Sequence, residues 1–246
     1  MRPPLGPNQT LAVVPSAKRL RVFLGDRAVA DSVNCQLLFE AGRQPAIYFP
    51  PADVAMALLR PSDHATHCPD KGAARYWTVE AGGRTATDAA WSYPAPGPQA
   101  AAIAGHIAFV WDRMDRWMEE DSPLLGHARN PFTRIDTLPS TRLVTVKARG
   151  RTLAETRRAV LLYETGHPCR PYIAREDVAM DLLRPSATRT VCPYKGVAHY
   201  YSAVIDGREI KDVAWCYAEP MPEVTLIRDR LAFYPERVDE LAIAPR

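Results

Sequence analysis

The sequence has no C-x-x-C pair, no long apolar run and no marked excess of one charge sign, and each absence removes a class of protein. Its five cysteines, Cys35, Cys68, Cys169, Cys192 and Cys216, are odd in number and widely spaced. A disulfide framework is therefore not expected, and a structural zinc site finds no ligand pattern. No apolar stretch approaches the roughly 18 residues that span a bilayer. The stretch from Met1 to Pro15 carries one Arg and early prolines, without the apolar centre of a signal peptide. The expected location is cytoplasmic, with no membrane partner. Basic residues number 31 against 28 acidic, and the signs are interspersed. A local basic cluster, Lys18, Arg19 and Arg21, is too small for a nucleic-acid footprint, so no nucleic-acid partner is expected. No Gly-rich phosphate loop, G-x-S-x-G elbow or H-E-x-x-H is present.

What is present is an internal repeat. Asp53-Val54-Ala55-Met56 returns as Asp177-Val178-Ala179-Met180, and Leu58-Leu59-Arg60-Pro61-Ser62 as Leu182-Leu183-Arg184-Pro185-Ser186. The offset from Met56 to Met180 is 124 residues, and it also relates Cys68 to Cys192, Lys71 to Lys195, Trp91 to Trp215 and Phe109 to Phe233. A period this long marks a duplicated domain rather than a solenoid unit. The expected organisation is a leader over 1–18, a first copy over 19–118, a Pro-containing linker over 119–142 and a second copy over 143–246. The leader from Leu5 to Ser16, or part of the linker, is expected to pack on a domain surface.

Within one copy the turn signals delimit short strands. Gly25-Asp26 separates Arg21–Leu24 from Ala28–Ala30 as a hairpin, and further strands are expected at 36–40 and 47–49. Asp53 before an apolar run that stops at Pro61 predicts a short helix over 52–59, with Met56 and Met180 in the core. The acidic pair Glu176-Asp177 is expected at the same helix start, where the macrodipole accounts for it. Thr66-His67-Cys68 leads into Pro69-Asp70-Lys71-Gly72 and then a strand through Tyr76 and Trp77; Pro sets the first turn position and Gly relieves the last. A strand over 87–93 and a short helix around 99–104 complete the domain. The fold class expected is mainly β with minor helix, as two tandem small antiparallel domains.

Two motifs occur in both copies and could carry chemistry. The first is Thr66-x-Cys68-Pro69-Asp70-Lys71-Gly72, repeated as Thr190-x-Cys192-Pro193-Tyr194-Lys195-Gly196. An ammonium close to a thiol can stabilise the thiolate, the nucleophilic form. Alternatively the cysteine packs at a strand end while Pro and Gly shape the turn and Lys is solvated. Of the cysteine positions, only this one is Cys in both copies. The second motif is Asp88-x-Ala90-Trp91-x-Tyr93, repeated as Asp212-x-Ala214-Trp215-x-Tyr217. Simple alternation places Asp88 and Ala90 on one face and Trp91 and Tyr93 on the other, the latter as core anchors. A face holding Thr66, Cys68, Tyr76 and Asp88 would form a small polar-aromatic pocket. His64, His67 and Cys68 resemble metal ligands, but Thr188, Val191 and Cys192 replace them in the second copy, so no metal and no cofactor are expected.

These motifs resemble domain-of-unknown-function family 427, whose signature is similar to T-x-C-P-x-K-G-x-A-x-Y-W, D-x-A-W-x-Y-x-x-P and A-F-Y-P-E-R-V-D. The second copy matches through Thr190–Gly196, Tyr200, Asp212–Pro220 and Ala232–Asp239. The first departs at Asp70 and at Phe109-Val110-Trp111-Asp112-Arg113, which points to the second copy as keeper of the family's site. The resemblance implies a β-tent or Mss4-like fold. Its nucleotidyltransferase-like label would require a Gly-Ser followed by paired metal-binding Asp residues, and the chain has none. Zinc-binding C-x-x-C pairs of other β-tent proteins are equally absent.

The functional expectation is a small-molecule-binding protein, with one pocket per copy and the option of catalysis. Cys68 and Cys192 would act as nucleophile or contact, Lys71 and Lys195 as electrostatic partners, and Asp88 and Asp212 as acid/base or acceptor. Thr66, Tyr76, Trp91, Thr190, Tyr200 and Trp215 would line the walls. The alternative is a non-catalytic interaction module in which the copies form a pseudo-two-fold pair.

Overall fold

Short apolar-alternating segments bounded by Gly, Pro and Asp turns become strands throughout. The computed structural model describes residues 10–245, and these divide into two units between Phe132 and Thr133. The first unit contains β1 (Leu11–Pro15), β2 (Leu20–Leu24), β3 (Arg27–Ser32), β4 (Gln36–Glu40), β5 (Ala46–Phe49), β6 (Leu59–Cys68), β7 (Gly72–Ala81), β8 (Arg84–Ser92), β9 (Ile107–Phe109), β10 (Arg116–Glu119) and β11 (Ser122–Leu124). The second contains β12 (Ile135–Ser140), β13 (Val144–Ala148), β14 (Arg151–Thr156), β15 (Ala159–Glu164), β16 (Arg170–Tyr172), β17 (Leu183–Cys192), β18 (Gly196–Ile205), β19 (Arg208–Cys216), β20 (Leu231–Phe233) and β21 (Glu240–Ile243). The protein is mainly β, as expected.

Each unit stacks a large antiparallel sheet on a small one. In the first, the large sheet runs β1-β4-β5-β9-β8-β7-β6 and the small one β11-β10-β2-β3. In the second, the strands β12-β15-β16 meet β20-β19-β18-β17 where Ile173 and Leu231 exchange backbone hydrogen bonds of 2.7 and 2.8 Å. The small sheet there is β14-β13-β21. Between the two sheets of the first unit lie Val22, Leu24, Val29, Phe49, Val79 and Phe109, all buried. Their counterparts Val146, Ala148, Leu153, Ile173, Ala203 and Phe233 fill the second. The outer face of each large sheet carries a second cluster, covered by a 3-10 segment at Pro98–Ile103 or Pro222–Ile227. That outer face is where the candidate site lies.

Several expectations need correction. The leader and linker are not separate from the copies. β1 pairs with β4 so that Leu11 faces Glu40, and β12 pairs with β15 so that Ile135 faces Glu164. Both pairs are related by the 124-residue offset, so this strand opens each domain. Within 119–142, Ser122–Leu124 forms β11, which pairs with β10, and Ile135–Ser140 forms β12. The part of the leader from Leu5 to Gln9 lies outside the described residues.

The helix expected over 52–59 is instead two single 3-10 turns, Pro51–Asp53 and Met56–Leu58. Val54 between them is extended because it bridges Ala30 of β3, and Ala55 N–H donates to the Val29 carbonyl at 2.8 Å. Asp53 caps nothing; its carboxylate accepts from the Ser32 hydroxyl at 2.6 Å. In the second copy Asp177 accepts from Thr156 and from Arg158, each at 2.7–2.8 Å, so an ion pair replaces the expected dipole effect. Met180 packs on the core, but Met56 is 39% exposed and is not a core residue. Among the described residues no helix is long and apolar enough to cross a membrane.

Candidate functional site

The hairpin β6–β7 and its counterpart β17–β18 carry the first motif. Gly72 and Gly196 close the turn at φ of 80° and 104°, a backbone region that L side chains rarely enter. A Cβ at Gly196 would also lie 3.0 Å from the Glu219 carbonyl oxygen, so the glycine lets the next segment approach. The Met221 amide in turn donates to the Lys195 carbonyl at 3.1 Å.

Register brings the predicted wall residues together. Ser62 faces Tyr76 across β6 and β7, and Tyr76 faces Trp91 across β7 and β8. Directly opposed residues share a sheet face. Thr66 and Cys68 fall on that same face, and the Thr66 hydroxyl lies 3.0 Å from the Tyr76 hydroxyl. The second copy repeats the contact between Thr190 and Tyr200 at 2.9 Å, with Tyr200 opposite Trp215. Cys68, Tyr76 and Trp91 pack on one cluster, and Cys192, Tyr200 and Trp215 on its counterpart. Trp91 is anchored as well as wall-forming, since its indole N–H donates to the Tyr48 hydroxyl at 3.0 Å.

Asp88 departs from simple alternation. The ladder between β7 and β8 is irregular beside it, and Asp88 itself sits at φ 50°. This bulge turns its carboxylate toward the Ser62 hydroxyl, on the Tyr76 face, instead of opposite Trp91. Asp212, also at φ 50°, accepts from the Thr188 hydroxyl at 2.8 Å, and its N–H donates to the Ser202 hydroxyl at 3.1 Å. Burial opposes its ionisation, but the Ser186 and Thr188 hydroxyls and the charges of Lys211 and Arg237 outweigh burial and hold its carboxyl below the usual range. Arg113 and Arg237 complete the bulge by donating to the carbonyls of Asp88 and Asp212 at 2.9 and 2.8 Å. The two aspartates thus shape β8 and β19; Asp88 meets Ser62 through Oδ1 and Asp212 meets Thr188 through Oδ2, while Asp212 Oδ1 is buried without a hydrogen-bond partner.

The lysines also have partners other than the thiols. Lys71 is buried and paired with Glu40, while Lys195 Nζ lies 2.5 Å from Glu164 with both side chains 12% exposed. Glu40 and Glu164 were not singled out from sequence, although the same residue at the same offset inside an apolar strand is a signal. With its charge met by a carboxylate, each lysine is a poor activator of the neighbouring cysteine. Cys68 and Cys192 are partly buried, and Cys35 is fully buried, its thiol pushed up to about 12 by desolvation.

The second copy has a longer polar chain than the first. Tyr200 OH lies 3.2 Å from Tyr234 OH, giving the series Thr190, Tyr200, Tyr234. Tyr234 lies tilted at 45° against Trp215, 4.4 Å between ring centres, under the Arg237 guanidinium at 4.6 Å. The Arg170 guanidinium lies 5.4 Å from the Trp215 ring and donates to the Phe233 carbonyl at 3.0 Å. Burial and the hydrogen bond with Tyr200 push the Tyr234 phenol up to about 12, while Arg237 and Arg170 pull the other way. The positions of Tyr234 and Arg170 are Val110 and Ala46 in the first copy, so this part of the site is confined to the second. Tyr234 and Arg237 lie in the F-Y-P-E-R motif, which carried no assigned role, and Arg170 had no repeat partner to reveal it.

No curated protein matches the chain. The sequence profile described as a domain of unknown function, DUF427, matches it twice, over residues 12–120 and 136–243. The two matches begin inside β1 and β12, the strands that open the two copies. Together they span most of the chain, which therefore belongs to the DUF427 family as a tandem pair of its domains.

Proposed function

We propose that the protein binds a small molecule on the outer face of the large sheet in its second copy, and that binding rather than covalent catalysis is what this face does. The observation carrying this reading is the hydroxyl series Thr190, Tyr200 and Tyr234, set against Trp215. Three hydroxyls hold three protons, and the two hydrogen bonds between them use two. One O–H is left to donate outward, a polar handle beside an aromatic wall. The covalent reading is weaker because both lysines are neutralised by carboxylates. Cys192 then serves as a wall contact.

A fragment library screened by thermal shift and by ligand-observed NMR tests this. Tyr234→Val is the informative variant, because the first copy carries Val110 at that position within the same fold. Fragments that bind wild type and fail to bind Tyr234→Val, at unchanged melting temperature, support the reading. A library without hits, or hits indifferent to Tyr234 and Tyr200→Phe, would refute it.

A further inference from the structure

Two guanidinium groups flank the hydroxyl series, and neither has a carboxylate partner among the described residues. Arg170 makes one hydrogen bond, to the Phe233 carbonyl, and Arg237 gives one nitrogen to the Lys211 and Asp212 carbonyls at 3.0 and 2.8 Å. A guanidinium has five N–H donors, so most of each fork stays unused by the protein. Some other arginines do have carboxylate partners, among them Arg19 with Asp31, Arg60 with Glu80 and Arg158 with Asp177. The two cations bracket one aromatic pair: Arg237 lies 4.6 Å from the Tyr234 ring centre, Arg170 lies 5.4 Å from that of Trp215, and the two rings are 4.4 Å apart. The outward O–H of the hydroxyl series adds a neutral donor to the same place.

Donors of this kind without acceptors nearby suit an anion. Resting on the binding reading above, we infer that the ligand of the second copy is a small organic oxyanion, a carboxylate or phosphate carried on an apolar body. Its charged oxygens meet Arg170, Arg237 and the outward hydroxyl, while its body lies along the half-buried Tyr234 ring. Planar forks match carboxylate and phosphate geometry with paired hydrogen bonds, which a lysine would not provide. The first copy keeps Arg113 but has Ala46 and Val110 where the second has Arg170 and Tyr234. One cation without the second and without the phenol leaves it no comparable anion site.

The test is a titration of the full chain with benzoate, phenyl phosphate and the neutral isostere benzamide, read by saturation-transfer NMR at low and high salt. Benzoate or phenyl phosphate should bind at one site per chain, the tighter of the two naming the head group, while benzamide should bind at least about tenfold more weakly. Arg170→Ala, which copies the residue of the first domain, should weaken the anion about tenfold and leave benzamide unchanged. Raising salt should weaken the anion alone. Benzamide binding as well as benzoate, or an anion affinity indifferent to Arg170→Ala, overturns the oxyanion inference while leaving the binding reading intact. Neutral fragments that bind through Tyr234, with none of the three probes binding, overturn it in the same way. Failure of the fragment screen itself overturns the binding reading instead.

Discussion

Replacing Lys195 by Met tests whether this lysine is a structural ion-pair partner or a free functional group. The substitution keeps the length and most of the apolar stem but leaves Glu164 without its cation, and both side chains are only 12% exposed. Removing one member of a buried pair costs about 3–5 kcal/mol, because the remaining charge is desolvated and unmatched. Partial exposure places this pair near the lower end, about 3 kcal/mol. For a domain of this size that corresponds to a fall of roughly 12 °C in the melting temperature of the second unit. Scanning calorimetry is the suitable assay, because the first unit serves as an internal standard. Its own pair, Lys71 with Glu40, stays intact. Replacing both members, Lys195→Met with Glu164→Leu, removes the orphaned charge and should recover most of the loss. A cost below about 1 kcal/mol for Lys195→Met, the range of an exposed ion pair, would refute the reasoning. So would a double variant no better than the single one. Lys195 would then be free to act on Cys192.

Asp212→Gly should be milder than Asp212→Ala. Both lose the Thr188 hydrogen bond, but Ala must also hold φ 50°, an added cost of about 1–2 kcal/mol that Gly does not bear; equal losses in urea denaturation would show that the backbone is not the reason for Asp here. The Asp177 carboxyl is held below the usual carboxylate range by its hydrogen bond from Arg158, with burial opposing and Thr156 assisting. A depressed folded-state value gives stability above the unfolded carboxylate range that is lost as pH falls through the folded value. Asp177→Asn should therefore be less stable than wild type at neutral pH, with the gap closing below about pH 4; a gap that stays constant to pH 2 would remove the ion pair as its cause.

The strands were legible because their apolar residues alternate and their turns carry Gly, Pro and Asp in positions with a mechanism. Leu20–Leu24, Gln36–Glu40 and the β6–β7 turn all follow from that local chemistry. The helix expected over 52–59 does not form because Asp53, a capping residue by type, is engaged by Ser32 instead. Val54 is drawn out of helical geometry by a bridge to Ala30, a partner distant in sequence. β1 and β12 were assigned to leader and linker for a related reason. Leu11-Ala-Val-Val-Pro15 and Ile135-Asp-Thr-Leu-Pro-Ser140 share little beyond their place in the register, so the repeat is faint where the pairing is strong. Thr66, Tyr76 and Trp91 share a face because β7 lies between β6 and β8. Asp88 did not follow alternation, since a bulge is set by the backbone and leaves no period to read.

The repeat itself separates what maintains the domain from what distinguishes one copy. Residues kept at the 124-residue offset, such as Glu40 and Glu164, Lys71 and Lys195, Arg113 and Arg237, make the same contacts in both units, while Asp88 and Asp212 hold the same bulge through different hydroxyl partners, Ser62 and Thr188. Each has a folding role: an ion pair beneath a turn, or a bulge with its carbonyl held. Conservation between copies therefore led first to architecture, including the Cys-Pro-x-Lys-Gly motif that looked most chemical. The residues that differ point the other way. Tyr234 and Arg170 have no structural task that Val110 and Ala46 fail to perform in the same fold, yet they extend a hydroxyl series and place a cation without a carboxylate partner beside it. A guanidinium kept partly buried against an aromatic ring is stabilised by that contact, but its remaining donors are satisfied by water or by a ligand alone. In a duplicated protein whose first copy shows that the fold stands without them, such residues are where a binding function is to be sought.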